Sequence, residues 1–269
     1  MDLLPTRRQK SPVQGQKEGR DGTRPNVVQM NKEQRKGHFL ADKDRFCTYC
    51  AVRSVSFCGM VPNDDMAHLS SHSRSLTLDR RKTLFHQGDE IQNVYIVTGG
   101  MLRLYQMLAD GRRQVIGFAI PGDLLGFPLE ARNDYSADAL DSVYLCQFPR
   151  QDFIQFVNRG THLLSALLTA THDELSRARE QIALIGQKNA ERKMAQFLLS
   201  FRGRQTRMDG EISVLPVRIP QADIADFLGL TIETVNRMLA RFTREKIIAI
   251  TDTGVELLDL IRLHMLAES

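Results

Sequence analysis

Four cysteines hold the densest chemistry in this 269-residue chain. Cys47, Cys50 and Cys58 form a C-x2-C-x7-C run, and Cys146 follows 88 residues later, with no fifth anywhere. Thiolates are soft ligands, and four of them satisfy zinc or an iron–sulfur cluster. A fourth ligand so far along the chain ties the N-terminal segment to the body of the protein. On the residues alone three chemistries stay open. One is an iron–sulfur cluster. A second is zinc, although structural zinc sites usually pair two short knuckles and this chain has one. The third is thiol-only redox sensing by Cys47 and Cys50. Cys146 taken singly also reads as an ordinary buried strand cysteine. His38, His68, His72 and His86 are spare ligand candidates of a type more often solvent-exposed than ligating. Arg45 just before the run and Arg53 within it can moderate the field of clustered thiolates. Phe46, Tyr49 and Phe57 interleave it, either limiting solvent access or simply packing against the body.

The elements that would hold these residues are legible in outline. Apolar residues make up 42% of the chain, enough for a core. Residues 1–45 hold 11 Lys/Arg against 6 Asp/Glu and are nearly free of aromatics, so they read as a disordered basic tail. No run of about 18 apolar residues exists and no secretory signal is apparent, so the chain is expected in the cytoplasm, where thiols stay reduced. From Ser75 to Phe148, glycines at 88, 99, 111 and 122 separate the apolar runs VYIVT, MLRLYQML and RQVIGFAI, and VYLCQF carries Cys146. Strands at such spacing predict a sandwich or jelly roll. Leu164, Leu168, Thr171, Leu175, Ala178, Ile182 and Ile185 then repeat at intervals of 4 and 3, a helical stripe of coiled-coil period. Polar Thr171 and small Ala178 weaken that seam, and a weak seam is responsive to a modest free-energy input. A second amphipathic helix starts at KNAERKMAQFLLSF, and RGRQTRMDGEISVLPVRIP reads as a turn and hairpin-like stretch.

The second chemistry is nucleic-acid readout. In QADIADFLGLTIETVNRMLARFTREKII, Ile224, Ala225 and Leu228 give a short helix an apolar face, Gly229 permits a tight turn and Thr231 is a suitable N-cap. Val235, Met238, Leu239 and Phe242 predict the buried face of the next helix. Its opposite face carries Glu233, Asn236, Arg237, Arg241 and Arg244. This is a helix-turn-helix, and IIAITDTGVELLD supplies a β wing. Arg237 suits guanine, Glu233 cytosine N4, and Asn236 adenine or a bridging water. Thr231 and Arg241 suit phosphates, and Thr234 completes the set assigned to DNA. From Gln187 to Lys246 there are 11 basic and 7 acidic residues, a local surplus that favours DNA. No phosphate-binding glycine loop, nucleophile elbow or H-E-x-x-H is present, so an iron–sulfur or zinc enzyme is the weaker class.

Taken together, the β-roll turns, the long helix and GLTIETVNRMLARF resemble the CRP–FNR family of transcription regulators over about residues 46–260. The cysteine run with Cys146, the KNAER run and PGDLLGF resemble its FNR-type branch. That resemblance implies an α+β fold with an N-terminal β-roll (jelly roll) sensor domain over 46–160, a dimerisation helix over 161–186 and a C-terminal winged helix-turn-helix over 187–269. It implies a [4Fe–4S] cluster on Cys47, Cys50, Cys58 and Cys146 that promotes homodimerisation and DNA binding and is degraded by oxygen. It further implies a non-enzymatic activator that contacts RNA polymerase and binds a palindromic TTGAT-N4-ATCAA-like site. The best-known FNR pattern has five residues between the second and third cysteines where this chain has seven, a form similar to FnrN- and FixK-like regulators. The family's E-x-x-S-R readout is here Glu233, Asn236 and Arg237. Cyclic-nucleotide-binding members carry a Gly-Glu pair after PGD and then an Arg-Ser pair. Here Phe127 and Pro128 follow PGDLLG, and RNDYSADAL has no Arg-Ser, so no cyclic nucleotide is expected.

Overall fold

The computed structural model describes Cys47 and residues 50–127, 129–209, 214–215, 219–252 and 254–269. The expected basic tail, with Arg45, Phe46 and Tyr49, lies outside them. Eight strands build the β-roll: β1 (Arg74–Leu78), β2 (Thr83–Phe85), β3 (Asn93–Gly99), β4 (Leu102–Met107), β5 (Arg113–Ala119), β6 (Leu124–Leu125), β7 (Ser136–Ala139) and β8 (Val143–Pro149). They form two antiparallel sheets of order β1-β8-β3-β6 and β2-β7-β4-β5. Val97, Val143 and Leu145 of the first sheet meet Leu102, Leu104, Ala119, Ala137 and Ala139 of the second in one core. The alternate residues Val94, Ile96, Cys146 and Phe148 are buried on the far side of the first sheet, beneath the cysteine segment and helices. Strand β3 is therefore covered on both faces, which explains its unbroken apolar run. Gly88, Gly111 and Gly122 hold the turns with φ of 89°, 81° and 97°. Gly99 ends β3 instead, and its neighbour Gly100 makes the turn.

Seven α-helices accompany the strands among the described residues. Helix α1 (Asn63–Ser71) follows the cysteine run, α2 (Arg150–Val157) follows β8, and α3 (Thr161–Ile185) is the long helix of the heptad stripe. One face of α3 buries Leu163, Ala166 and Leu167 against the outer face of the first sheet. The stripe faces away: Leu164, Leu168, Leu175, Ile182 and Ile185 are all exposed, Ile182 by 72%. Thr171 satisfies its own hydroxyl by donating to the Leu167 carbonyl at 2.9 Å.

After a break at Gly186, α4 runs Ala190–Asp209. The sequence predicts a turn from Arg202 onward, but the helix continues two turns further. Phe201 and Gln205 are buried, and Arg204 donates to the Phe118 carbonyl at 3.0 Å. These tertiary contacts outweigh the roughly 1 kcal/mol helix penalty of Gly203. Of the hairpin-like stretch expected there, the described residues show β9 (Val214–Leu215), which pairs with β11 (Gly254–Leu257), itself paired with β10 (Ile248–Thr251) to make the wing sheet. Helices α5 (Gln221–Leu228) and α6 (Ile232–Arg244) form the helix-turn-helix, and α7 (Leu260–Glu268) packs on α4. Buried Lys193 of α4 donates to the carbonyls of Ile185 at 2.9 Å and Leu228 at 3.0 Å, capping the C-terminal ends of α3 and α5 with one ammonium.

Candidate functional site

The cysteine segment is shaped by two short 3-10 turns, Arg53–Val55 and Phe57–Met60. Buried Val52, Phe57 and Val61 anchor it, and Phe57 packs on Phe153 of α2 with ring centroids 5.2 Å apart. Gly59 lets the second turn close on the first: a Cβ there would stand 2.7 Å from the Arg53 carbonyl oxygen. Cys146 arrives from the middle of a sheet, opposite Ser75 on β1 and Ile96 on β3. Cys47 and Cys146 are buried, Cys50 and Cys58 partly so, and all four belong to one apolar cluster. The turn carrying Cys58 packs against α3.

The thiols act on one another electrostatically. Burial pushes Cys58 far above the usual thiol range, and repulsion from Cys146, Cys47 and Cys50 adds to it. Burial, with Cys47 and Cys50, pushes Cys146 up to about 12, against a lowering hydrogen bond from Ser73. Cys50 is raised by burial and partly relieved by hydrogen bonds from the Val52 and Arg53 backbone N–H groups. Cys47 is raised by burial and Cys50 while Arg53 pulls it down. Among the described residues no three His, Cys, Asp or Glu side chains converge closely enough to hold a single metal ion. The donor set nevertheless fits a thiolate-ligated group, with four soft sulfurs, backbone N–H groups of Val52 and Arg53 acting on Cys50, the Ser56 and Ser73 side chains beside Cys58 and Cys146, and the Arg53 cation close by. Sequence reasoning missed the two serines: Ser56 is a local neighbour of Cys58, whereas Ser73 comes beside Cys146 only because β1 pairs with β8. The described histidines lie elsewhere: His162 pairs with Asp65 at 3.0 Å, His68 and His72 pack with tilted rings 4.6 Å apart, and His86 is exposed.

The second site is the exposed face of α6. Gly229 ends α5 with φ 60°, and Leu230 donates back to the Ala225 carbonyl at 2.9 Å. Thr231 caps α6 by accepting from the Thr234 N–H at 3.2 Å. Val235, Met238, Leu239 and Phe242 are buried as expected, so Glu233, Asn236, Arg237 and Arg244 are held outward. Glu233 lies below its ordinary range, stabilised by its own N–H at the helix start and by the Thr231 hydroxyl. Arg241 is not an open phosphate donor in this structure. It donates to Glu191 of α4 at 2.9 Å and to Glu245 at 2.8 Å, fastening α6 to its own domain. Ile232, 45% exposed beside Glu233, was not singled out from the sequence. Its place in the first turn, among polar readers, suits a thymine methyl.

A cavity of about 1010 Å³ lies between the roll and helices α3 to α5, bordered by Phe127, Tyr135, Thr171 and Phe197. Its two arginines are already matched to an acid: Arg204 donates to Asp123 at 2.5 Å, and Arg177 lies 3.7 Å from the same carboxylate while also bonding Glu174. An anionic ligand would have to displace Asp123 from both.

Comparison with known proteins agrees with this architecture. Residues 76–159 match the model of the cyclic nucleotide-binding domain, and residues 192–266 match that of the Crp-like helix-turn-helix domain. The nitrogen fixation regulation protein FixK of Bradyrhizobium diazoefficiens is 37% identical over 91% of this chain and 99% of its own length. The transcriptional activatory protein AadR of Rhodopseudomonas palustris is 39% identical over 82% of this chain and 92% of its own. The solved structure of FixK2 from Bradyrhizobium japonicum superimposes with a TM-score of 0.66 at 27% identity, covering 72% of this chain and 96% of that one.

Proposed function

The chain belongs to the CRP–FNR family of DNA-binding transcription regulators, and on that premise we propose that it is an oxygen- or redox-responsive activator, active as a homodimer when Cys47, Cys50, Cys58 and Cys146 hold a [4Fe–4S] cluster. Its relatives are regulators, not enzymes. One observation carries the reading. The four cysteines share a single apolar cluster with Leu163, Ala166 and Leu167 of α3, and an adjoining face of that helix is the exposed heptad stripe. Bound there, such a cluster would supply an oxygen-labile cross-link between the cysteine segment and β8.

The protein's own residues do the rest. The turn Phe57–Met60 presses on α3, so the position of Cys58 bears on how the helix sits over the sheet. The stripe from Leu164 to Ile185 is apolar enough to pair with a second copy, and Thr171 and Ala178 keep that pairing weak enough to be switched. Each paired protomer then offers Glu233, Asn236 and Arg237 to one half of a TTGAT-N4-ATCAA-like palindrome in cytoplasmic DNA, with RNA polymerase as the activation partner. A thiol-only sensor fits less well, because burial raises all four thiols and a bound metal would supply the positive charge that offsets it, which a free thiol pair lacks. A cyclic nucleotide is likewise not part of the reading, since Asp123 already neutralises the cavity's arginines.

Anaerobic purification with iron and sulfide analysis, absorption spectra before and after air, and sedimentation in each state test the proposal. Iron and sulfide bound to a dimer that dissociates in air are expected. Zinc without iron or sulfide would overturn the oxygen-sensing reading.

A further inference from the structure

Helix α5 is fastened to the β-roll of its own chain by a buried carboxylate. The Asp223 side chain is 1% exposed. Both of its oxygens accept from Nη1 of Arg103 on β4 at 3.0 Å, and Oδ1 also accepts from Nη2 of Arg113 on β5 at 2.5 Å. Arg103 is braced by Asp138 at 2.6 Å, which itself accepts from Thr83 Oγ1 at 2.7 Å. Both guanidinium groups lie over the Tyr105 ring, at 5.3 Å and 5.7 Å from its centroid. Three residues further along α5, the Asp226 side chain accepts the Val115 N–H at 2.8 Å, and its backbone carbonyl accepts the Gln114 amide at 2.9 Å. Phe118 of β5 completes the join, packing on Phe197, Phe201 and Phe227.

A buried carboxylate resists any movement that removes its partners, because the uncompensated charge is far costlier than the pair. Two arginines approaching from different strands also fix its direction. In this arrangement the reading residues of α6 stay exposed, so the clamp does not hide them. We infer that Asp223, Arg103 and Arg113 form a latch that sets the orientation of the reading helix, making Asp223 a positioning residue for recognition of palindromes of one spacing. The inference rests on the proposed reading of a dimer on a two-half-site operator. One extra base pair moves a half-site by about 3.4 Å and turns it by roughly 35°. A loosely mounted head absorbs such a change, and a latched one does not.

The test uses the full-length protein, purified without air, in Asp223→Asn and Arg113→Gln forms beside the wild type. Binding by fluorescence anisotropy is measured on palindromes with spacers of three, four and five bases and on a single half-site, with sedimentation to check the dimer. The wild type is expected to prefer one spacing, and both variants to lose about tenfold or more of that preference while binding the half-site as before. Faster hydrogen exchange at the Val115 amide is expected in both variants. If Asp223→Asn does not fold, Arg113→Gln, which keeps Arg103 on the carboxylate, decides. A folded, dimeric variant with undiminished spacing preference overturns the latch alone. A wild type without sequence-selective binding at any spacing overturns the operator reading and the latch with it.

Discussion

Replacing Arg237 by alanine isolates the reading function from the fold. The side chain is exposed on α6, while the apolar face that holds the helix is made by Val235, Met238, Leu239 and Phe242. Stability should therefore stay within about 0.5 kcal/mol, the usual range for surface changes. A bidentate contact to guanine is worth about 1–3 kcal/mol of discrimination. A dimer on a palindrome makes it twice, so the loss is about 2–6 kcal/mol, or roughly 30- to 20,000-fold in affinity. The same experiment separates base reading from phosphate contact. A lost phosphate contact lowers the salt slope by about one per site and weakens all sequences alike. A lost base contact leaves the slope nearly unchanged and erases the difference between the operator and one altered at the contacted guanine. Anisotropy titrations over a series of salt concentrations on the two operators supply both readouts. An alanine variant that still separates the operators as the wild type does would refute the assignment. Arg241→Ala is the contrast: with its guanidinium committed to Glu191 and Glu245, it should lower thermal stability more than it lowers the salt slope.

Ile182→Glu places a charge at the most exposed aliphatic position of the stripe, and should give a folded monomer in anaerobic sedimentation; an unaltered dimer would move the interface elsewhere. Gly59→Ala forces a Cβ to 2.7 Å from a backbone oxygen, so it should reduce iron content per chain while leaving the far-ultraviolet circular dichroism unchanged. Cluster-free protein should lose stability in alkali, since the Cys146 thiol is raised from an ordinary 9.0 to about 12. Folding then keeps a proton that the unfolded chain releases, so the contribution is full below pH 9.0 and is lost as pH rises towards 12. Thermal melts across that window should fall for the wild type and fall less for Cys146→Ser.

The parts of this architecture that were legible in the sequence are those governed by short-range rules. The turn at Gly229, the Thr231 cap and the buried face of α6 all fall between Gly229 and Phe242, and the structure keeps each of them. Glycine spacing marked the strands of the roll because tight turns need positive φ, including the turn at the Gly99-Gly100 pair, where Gly100 takes it. Spacing joined Cys47, Cys50 and Cys58, but Cys146 was added to them only by the family resemblance, and the depth of Cys58 against α3 was not legible at all. Helices α1 and α7 went unread, since each is short and its burial is decided by elements far away in the chain. Distance in sequence also hid the extension of α4 past Gly203 and the commitments of Arg241. The Asp223 latch is the extreme case, joining residues 110 and 120 positions apart, beyond the reach of any local pattern.

The shared cap at Lys193 has a mechanical consequence. One ammonium holds the last carbonyl of α3 and the last carbonyl of α5 at 2.9 Å and 3.0 Å, so these two helix ends cannot separate without stranding a buried cation. They can still turn about it, because an ammonium on a flexible stem imposes distance and little direction. The attachment behaves as a ball joint, fixing where the DNA-binding head is hung and leaving its tilt to be decided elsewhere. Any displacement of α3 would thereby reach the head as swivel before detachment.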